Sequence, residues 1–115
     1  MGKKPPVPTV TVTSPDGDQT LVLSCVLSAG SRTRVAEMGN AANANAASTV
    51  EDVRQNVIGF LFGALVREWR IHGAPITKQR ALAERFRMAS TAERAFVVDA
   101  LRAHCDDWFP GVRVP

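Results

Sequence analysis

Val57-Ile58-Gly59-Phe60-Leu61-Phe62-Gly63-Ala64-Leu65-Val66 is one apolar run, and Arg67-Glu68-Trp69-Arg70 and a turn at His72-Gly73-Ala74-Pro75 follow it. The run is too short to span a bilayer, which takes about 20 apolar residues, so no membrane association is expected. It is also too long and too uniformly apolar for a surface helix with one buried stripe. Such a helix must be covered on most sides, by the rest of the chain or by a partner.

On the N-terminal side, Ser48-Thr49-Val50-Glu51-Asp52 opens the helix. Ser48 with Glu51, or Thr49 with Asp52, makes a capping box, and the acids suit the positive end of the helix dipole. The spacing predicts a helix over residues 50–70. Val53, Val57, Phe60, Leu61, Ala64 and Leu65 form one stripe, and Ile58, Phe62, Val66 and Trp69 a second. Gly59 and Gly63 leave a shallow groove where another backbone can approach; in a soluble chain this reads first as local tight packing. Each glycine costs a helix roughly 1 kcal/mol against alanine, so a steric reason is expected for them. Trp69 lies between Arg67 and Arg70, and Trp with Arg is the composition of an interface anchor. The expected partner-binding set is Phe60, Phe62, Val66, Trp69, Arg67 and Arg70, with Gly59 and Gly63 as helix-packing positions.

On the C-terminal side, Gly73 and Pro75 end that helix, and Thr77 can cap a short one over 78–87 with Leu82 and Phe86 inward. Ser90-Thr91-Ala92-Glu93 repeats the capping-box pattern. It starts a last helix over 91–107, with Phe96, Val97, Ala100, Leu101, His104 and Trp108 on one broad face. Pro110 closes it, and 111–115 read as a tail.

Ahead of the central helix, residues 1–8 (MGKKPPVP) favour an extended arm, because prolines cannot join a ladder. Thr9-Val10-Thr11-Val12-Thr13 alternates at period two, Ser14-Pro15-Asp16-Gly17-Asp18 is a turn cluster, and residues 19–27 are again strand-like. Together they predict a β-hairpin over 9–27. A lone hairpin is barely stable in water, so it must lie on helices or join another sheet. Ser28 or Ser31 can cap a helix over 31–47. Gly39-Asn40 interrupts it, and the Ala/Asn-rich stretch after them is either a helix with a weak middle or a flexible joint. The fold class is therefore mainly α with an N-terminal β-hairpin (α+β), one domain over 9–110 with about four helices.

The chain has 115 residues, 45% hydrophobic and 22% charged, a formal charge of +3 and a pI near 9.4. Cys25 and Cys105 lie far apart, and no apolar leader follows Met1-Gly2-Lys3-Lys4, so both thiols are expected free in a reducing, cytosolic setting. No metal is expected, since His72, His104, Cys25 and Cys105 have no ligand spacing. His104 is expected to complement the C-terminal end of the helix dipole, with Asp106 and Asp107 facing solvent or a basic partner. Neither cysteine has the base and orienting group a nucleophile needs, and Gly59 and Gly63 lie inside a helix without the Lys and Ser/Thr of a phosphate loop. No enzyme activity and no cofactor are expected. Arg67, Arg70, Lys78, Arg80, Arg85 and Arg87 outnumber Glu68 and Glu84 locally. They read as a solvated rim, or as a basic rim facing an acidic protein partner. Nucleic acid is not the expected partner, because the 91–107 helix is mostly apolar after its first turn and makes a poor recognition helix.

The order of elements resembles the small tail assembly chaperones of long-tailed (siphovirus-type) bacteriophages. The resemblance rests on a Thr/Val hairpin around Pro15-Asp16-Gly17, an Ala-rich helix and a helix ending Val66-Arg67-Glu68-Trp69-Arg70-Ile71. It continues through Gly73-Ala74-Pro75-Ile76-Thr77, Ala81-Leu82 and Ser90-Thr91-Ala92-Glu93, covering residues 9–108. It implies a non-enzymatic protein that coats the tape-measure protein and recruits tail-tube subunits in the host cytoplasm, and that is missing from the finished virion. Helix-in-groove binding and self-association are the expected modes. Two alternatives stand beside it: a permanent virion part, such as a head–tail connector or capsid decoration protein, and a small DNA-binding regulator using the 67–87 basic stretch.

Overall fold

The apolar run is a helix only as far as Leu65, and the residues after it are a strand. The computed structural model describes residues 8–44 and 50–114. In chain order the elements are β1 (Thr9–Thr13), β2 (Gln19–Ser24), α1 (Ala29–Ala44), α2 (Val50–Leu65), β3 (Val66–Ile71), β4 (Ala74–Ile76), α3 (Gln79–Arg87) and α4 (Thr91–Trp108). The strands form one antiparallel sheet in the order β1-β2-β3-β4, so the strands are not confined to the N-terminus. The molecule is a small α+β domain with four helices.

The correction to the predicted 50–70 helix has a local cause. Leu23 pairs with Val66 and Val22 with Glu68, so Arg67 is the extra residue of a β-bulge. A bulge of this kind shifts the side-chain alternation by one residue. Val66 and Trp69 therefore share the inner side, three positions apart, and their spacing imitates a helical stripe. Beyond the bulge ordinary alternation resumes: Trp69 and Ile71 are buried while Arg70 is exposed. His72-Gly73 is not a helix stop but the two-residue turn joining β3 to β4, with Ile71 paired to Ala74. Both turn residues have positive φ, 50° and 81°, which suits the right-handed twist of the paired strands.

The N-terminal hairpin forms as its sequence requires, with β2 ending at Ser24 rather than 27. Gly17 N donates to Ser14 O at 2.9 Å, closing a turn in which Gly17 takes φ 78°. The Ser14 hydroxyl donates to Asp16 and accepts from Gln19 N at 3.0 Å. That hydroxyl, then the Asp18 amide, holds the Asp16 carboxyl below the ordinary carboxylate range.

Of the two candidate caps of α1, Ser28 serves, its hydroxyl accepting from Ser31 N at 3.1 Å. The helix runs through Gly39-Asn40 without the interruption expected there. Residues 45–49 lie outside the described residues, and with them the end of the Ala/Asn-rich stretch and the capping boxes of Ser48 and Thr49. Residues 1–7 of the proposed arm lie outside them as well. At α3 the cap position is Lys78, not Thr77, and it makes no side-chain cap bond. At α4 the capping box is complete: Glu93 N donates to Ser90 Oγ at 3.1 Å and Ser90 N to Glu93 Oε1 at 2.9 Å.

One face of the sheet meets the helices and the other meets solvent. Leu21, Leu23, Leu61, Leu65, Trp69, Val97 and Leu101 are all fully buried between the two layers. Phe62 stacks on Phe86, centroids 4.5 Å apart, and Trp69 meets both rings edge-on at 5.9 and 6.3 Å. Trp69 Nε1 donates to Gln19 Oε1 at 3.2 Å, so the indole buries no unpaired donor and ties β3 to β2. The residues read as a tail fold back: Val112 N donates to Phe109 O at 3.0 Å, and Phe109 and Val112 are buried.

Candidate functional site

The expected partner-binding residues do not assemble on one surface. Trp69, Phe62 and Val66 are buried in the chain's own core. Phe60 is half-buried against that core. Arg67 is exposed at the bulge, and Arg70 is exposed with its guanidinium 3.7 Å from Glu68. The physical reason is the strand: period two sends the two arginines to the solvent side while the bulge sends Val66 and Trp69 inward. The cover that the apolar run demands comes from the sheet and from α1, α3 and α4.

Arg85 completes that cover. Its guanidinium lies 5.5 Å from the Trp69 ring centroid and bonds Glu93 Oε2 at 2.6 Å. The Arg85 bond, then the Ser90 amide, holds the Glu93 carboxyl below its ordinary range. Arg80 sits 3.7 Å from Glu84. Arg80 thus has a local acidic neighbour, and Arg85 has a structural role.

Gly59 and Gly63 do not mark tight packing within the chain. A Cβ built at Gly59 would meet nothing within 4 Å, and one at Gly63 would reach only Gln79 Nε2 at 3.9 Å. That amide donates to the Gly63 carbonyl at 2.6 Å and links α3 to α2. Among the described residues, no side chain or backbone crowds either glycine.

A concavity lies elsewhere, between α1, the first turns of α2 and the folded-back C-terminal segment. It holds about 640 Å³. This is within the range of 300–1,000 Å³ common for ligand pockets. Val35, Ala36 and Gly39 of α1 form one wall, Val53 and Val57 of α2 the other, and Val112 the floor's edge. Val50 stands at the margin with 82% of its surface exposed. Arg32, Arg54 and Arg113 complete the charged part of the lining. Arg32 stands 5.4 Å over the Phe109 ring, which fixes its stem along the wall. Arg54 is 3.8 Å from Glu51, and its Nε is buried with no hydrogen-bond partner. The site is apolar inside and cationic at the rim.

Sequence reading missed this cleft because its parts are individually bland. Small residues on α1 (Ala36, Gly39) oppose a medium one on α2 (Val53), and only their opposition leaves space. Val112 and Arg113 carried no sign that the chain turns back.

The groups capable of other chemistry are placed as follows. His104 is buried, and its Nε2 donates to the Ser24 carbonyl at 2.7 Å, tying α4 to the end of β2. Asp106 and Asp107 face solvent as expected. Cys25 and Cys105 are both free thiols. Burial, then the nearby Asp106 charge, pushes the Cys105 thiol up to about 11. Among the described residues, no group of three His, Cys, Asp or Glu side chains could hold a metal ion. Among them too, no helix is long and apolar enough to cross a membrane.

Comparison of the chain with protein-family models, curated proteins and solved structures finds no match. The functional reading therefore rests on the cleft and on the sequence resemblance.

Proposed function

We propose that this chain is a non-enzymatic assembly protein that holds a helical segment of a partner in the cleft between α1, α2 and the C-terminal segment. We propose further that it serves as a tail assembly chaperone of a long-tailed bacteriophage, acting in the host cytoplasm. Its partners would be the tape-measure protein and, through it, tail-tube subunits. One observation carries the reading: a mostly apolar cleft of about 640 Å³ whose lining also includes Arg32, Arg54 and Arg113. An amphipathic helix laid into such a groove places its apolar anchors inside and its acidic residues against the rim. A long helical protein with acidic flanks supplies such segments repeatedly. The over-apolar α2 run no longer supports the reading, because the chain itself covers most of it.

The test uses the purified chain and synthetic helical peptides from the neighbouring tape-measure gene. Ala36→Trp fills the trough from an exposed position, and Arg113→Glu reverses charge at its rim. Each is expected to weaken peptide binding at least tenfold, about 1.4 kcal/mol, while the melting temperature stays close to the parent's. Unchanged affinity in both variants sinks the cleft as the binding site. Mass spectrometry of purified particles decides the wider reading: many copies in finished virions would replace the chaperone with a structural component.

A further inference from the structure

The two edges of the sheet differ in a way that points to a partner. The edge strand β4 has three residues and contains Pro75. Short length and proline are what blunt an edge against unwanted pairing. The edge strand β1 is five residues of threonine and valine, with no charge, no proline and no bulge. Among the described residues nothing pairs with its outer side.

We infer that β1 is the joint of a symmetric dimer, in which β1 of one copy pairs antiparallel with β1 of a second copy about a twofold axis at Thr11. The hydrogen-bond phase fixes which groups are free. Cys25 N donates to Pro8 O at 2.8 Å and Ser14 N to Gln19 O at 2.9 Å. Alternation along the strand then turns the amides and carbonyls of Val10 and Val12 toward β2, and those of Thr9, Thr11 and Thr13 outward. A twofold interface requires that if residue i meets j, j meets i. Thr9-Val10-Thr11-Val12-Thr13 reads the same in both directions, so it meets this condition about its own centre. Thr9 falls opposite Thr13, Val10 opposite Val12, and Thr11 opposite Thr11. The residues with free backbone groups are the ones that fall into hydrogen-bonded pairs, giving roughly six new ladder bonds. The threonines pair across the solvent face, where Thr–Thr contacts are favourable, and the half-buried valines extend the apolar inner face across the axis.

Sedimentation equilibrium of the full chain tests the inference, with circular dichroism confirming that each variant is folded. The parent is expected to be a concentration-dependent dimer. Thr11→Pro removes an outward amide and leaves the β2 ladder intact, so it is expected to be monomeric. Thr11→Lys and Thr11→Glu place like charges face to face and are each expected to weaken the dimer at least tenfold, about 1.4 kcal/mol. Mixing those two variants is expected to restore a one-to-one heterodimer. A parent that stays monomeric at every concentration overturns the inference, and so does a dimer whose dissociation constant ignores all three substitutions. If Thr11→Pro unfolds, the charge pair still decides: no recovery on mixing means that the axis does not pass through Thr11. Peptide binding in the cleft is measured separately, and no residue of β1 lines the cleft, so the two readings fail independently.

Discussion

The two sides of α2 are built to different rules. The side that meets the sheet and α3 is filled by interlocking rings and leucines: Phe62 and Leu61 of the helix join Trp69, Leu21 and Phe86 in the core. Toward α1 and the chain end, Val35, Ala36, Gly39, Val53 and Val112 leave a cleft among the described residues. Stability is concentrated where large rings interlock, because buried contact area scales with side-chain size. Binding capacity is left where small residues oppose one another. The same sixteen-residue helix serves as the core's central beam on one flank and as a trough wall on the other.

The largest expected effect tests the filled side. Trp69→Ala should lower stability by about 3–5 kcal/mol, most of what a small domain has, because it empties a fully buried ring site. It also leaves Gln19 Oε1 without the indole donor it now accepts from. Trp108→Ala should cost under about 1 kcal/mol, since a half-exposed ring leaves little cavity. Trp108 is 47% exposed and meets the His104 ring only at 6.3 Å between centroids. Urea unfolding followed by circular dichroism measures both. Equal losses would break the contrast, for they would mean that the core extends to the end of α4.

The same contrast explains what the sequence could reveal. The N-terminal hairpin, the start of α4 at Ser90 and the inward face of α3 are legible, because local chemistry decides them: a Pro-Asp-Gly turn, a capping box, a three-and-four spacing. On α4 the expected face holds at Val97, Ala100, Leu101 and His104, while Trp108 is 47% exposed and Val98 and Cys105 are buried instead. The switch from α2 to β3 is not. Val66 and Trp69 stand three apart in both a helix and a bulged strand, and only the pairing of Val22 and Leu23 across the sheet selects the strand. A His-Gly step between Ile71 and Ala74 is the one local cue to a hairpin, and its weight is hidden by Pro75. The cleft is less legible still. It is made by what two helices and a folded-back tail lack, and missing volume has no sequence motif.

A smaller effect sharpens the picture of how the filled side is sealed. Arg85 lies over Trp69 and is held by Glu93, whose carboxyl titrates below its ordinary value. A carboxylate with a depressed folded pKa stabilises fully above its unfolded value, about 4.3, and that contribution is lost as pH falls through the folded value. Stability of the parent should therefore decline on acidification below about pH 4. Glu93→Gln keeps a capping side chain but gives up the charged bond, which should cost roughly 1–2 kcal/mol at neutral pH. Its acid limb should be flatter than the parent's. Melting temperatures across a pH series check this, and parallel curves for the two proteins would remove Glu93 from the seal.

The smallest effect has the opposite sign and lies on the outward surface of α2. A Cβ at Gly59 meets nothing within 4 Å, so the folded chain has no steric use for this glycine. Gly59→Ala removes backbone freedom from the unfolded chain in the middle of a helix and should raise stability by about 0.5–1 kcal/mol. Gly59 lines concavities toward Phe62 and Phe86 and toward Phe60 and Gln79, not the α1 cleft. Thermal unfolding reads the gain directly. A loss instead would show that the flank of α2 facing α3 is packed too closely to take a methyl group.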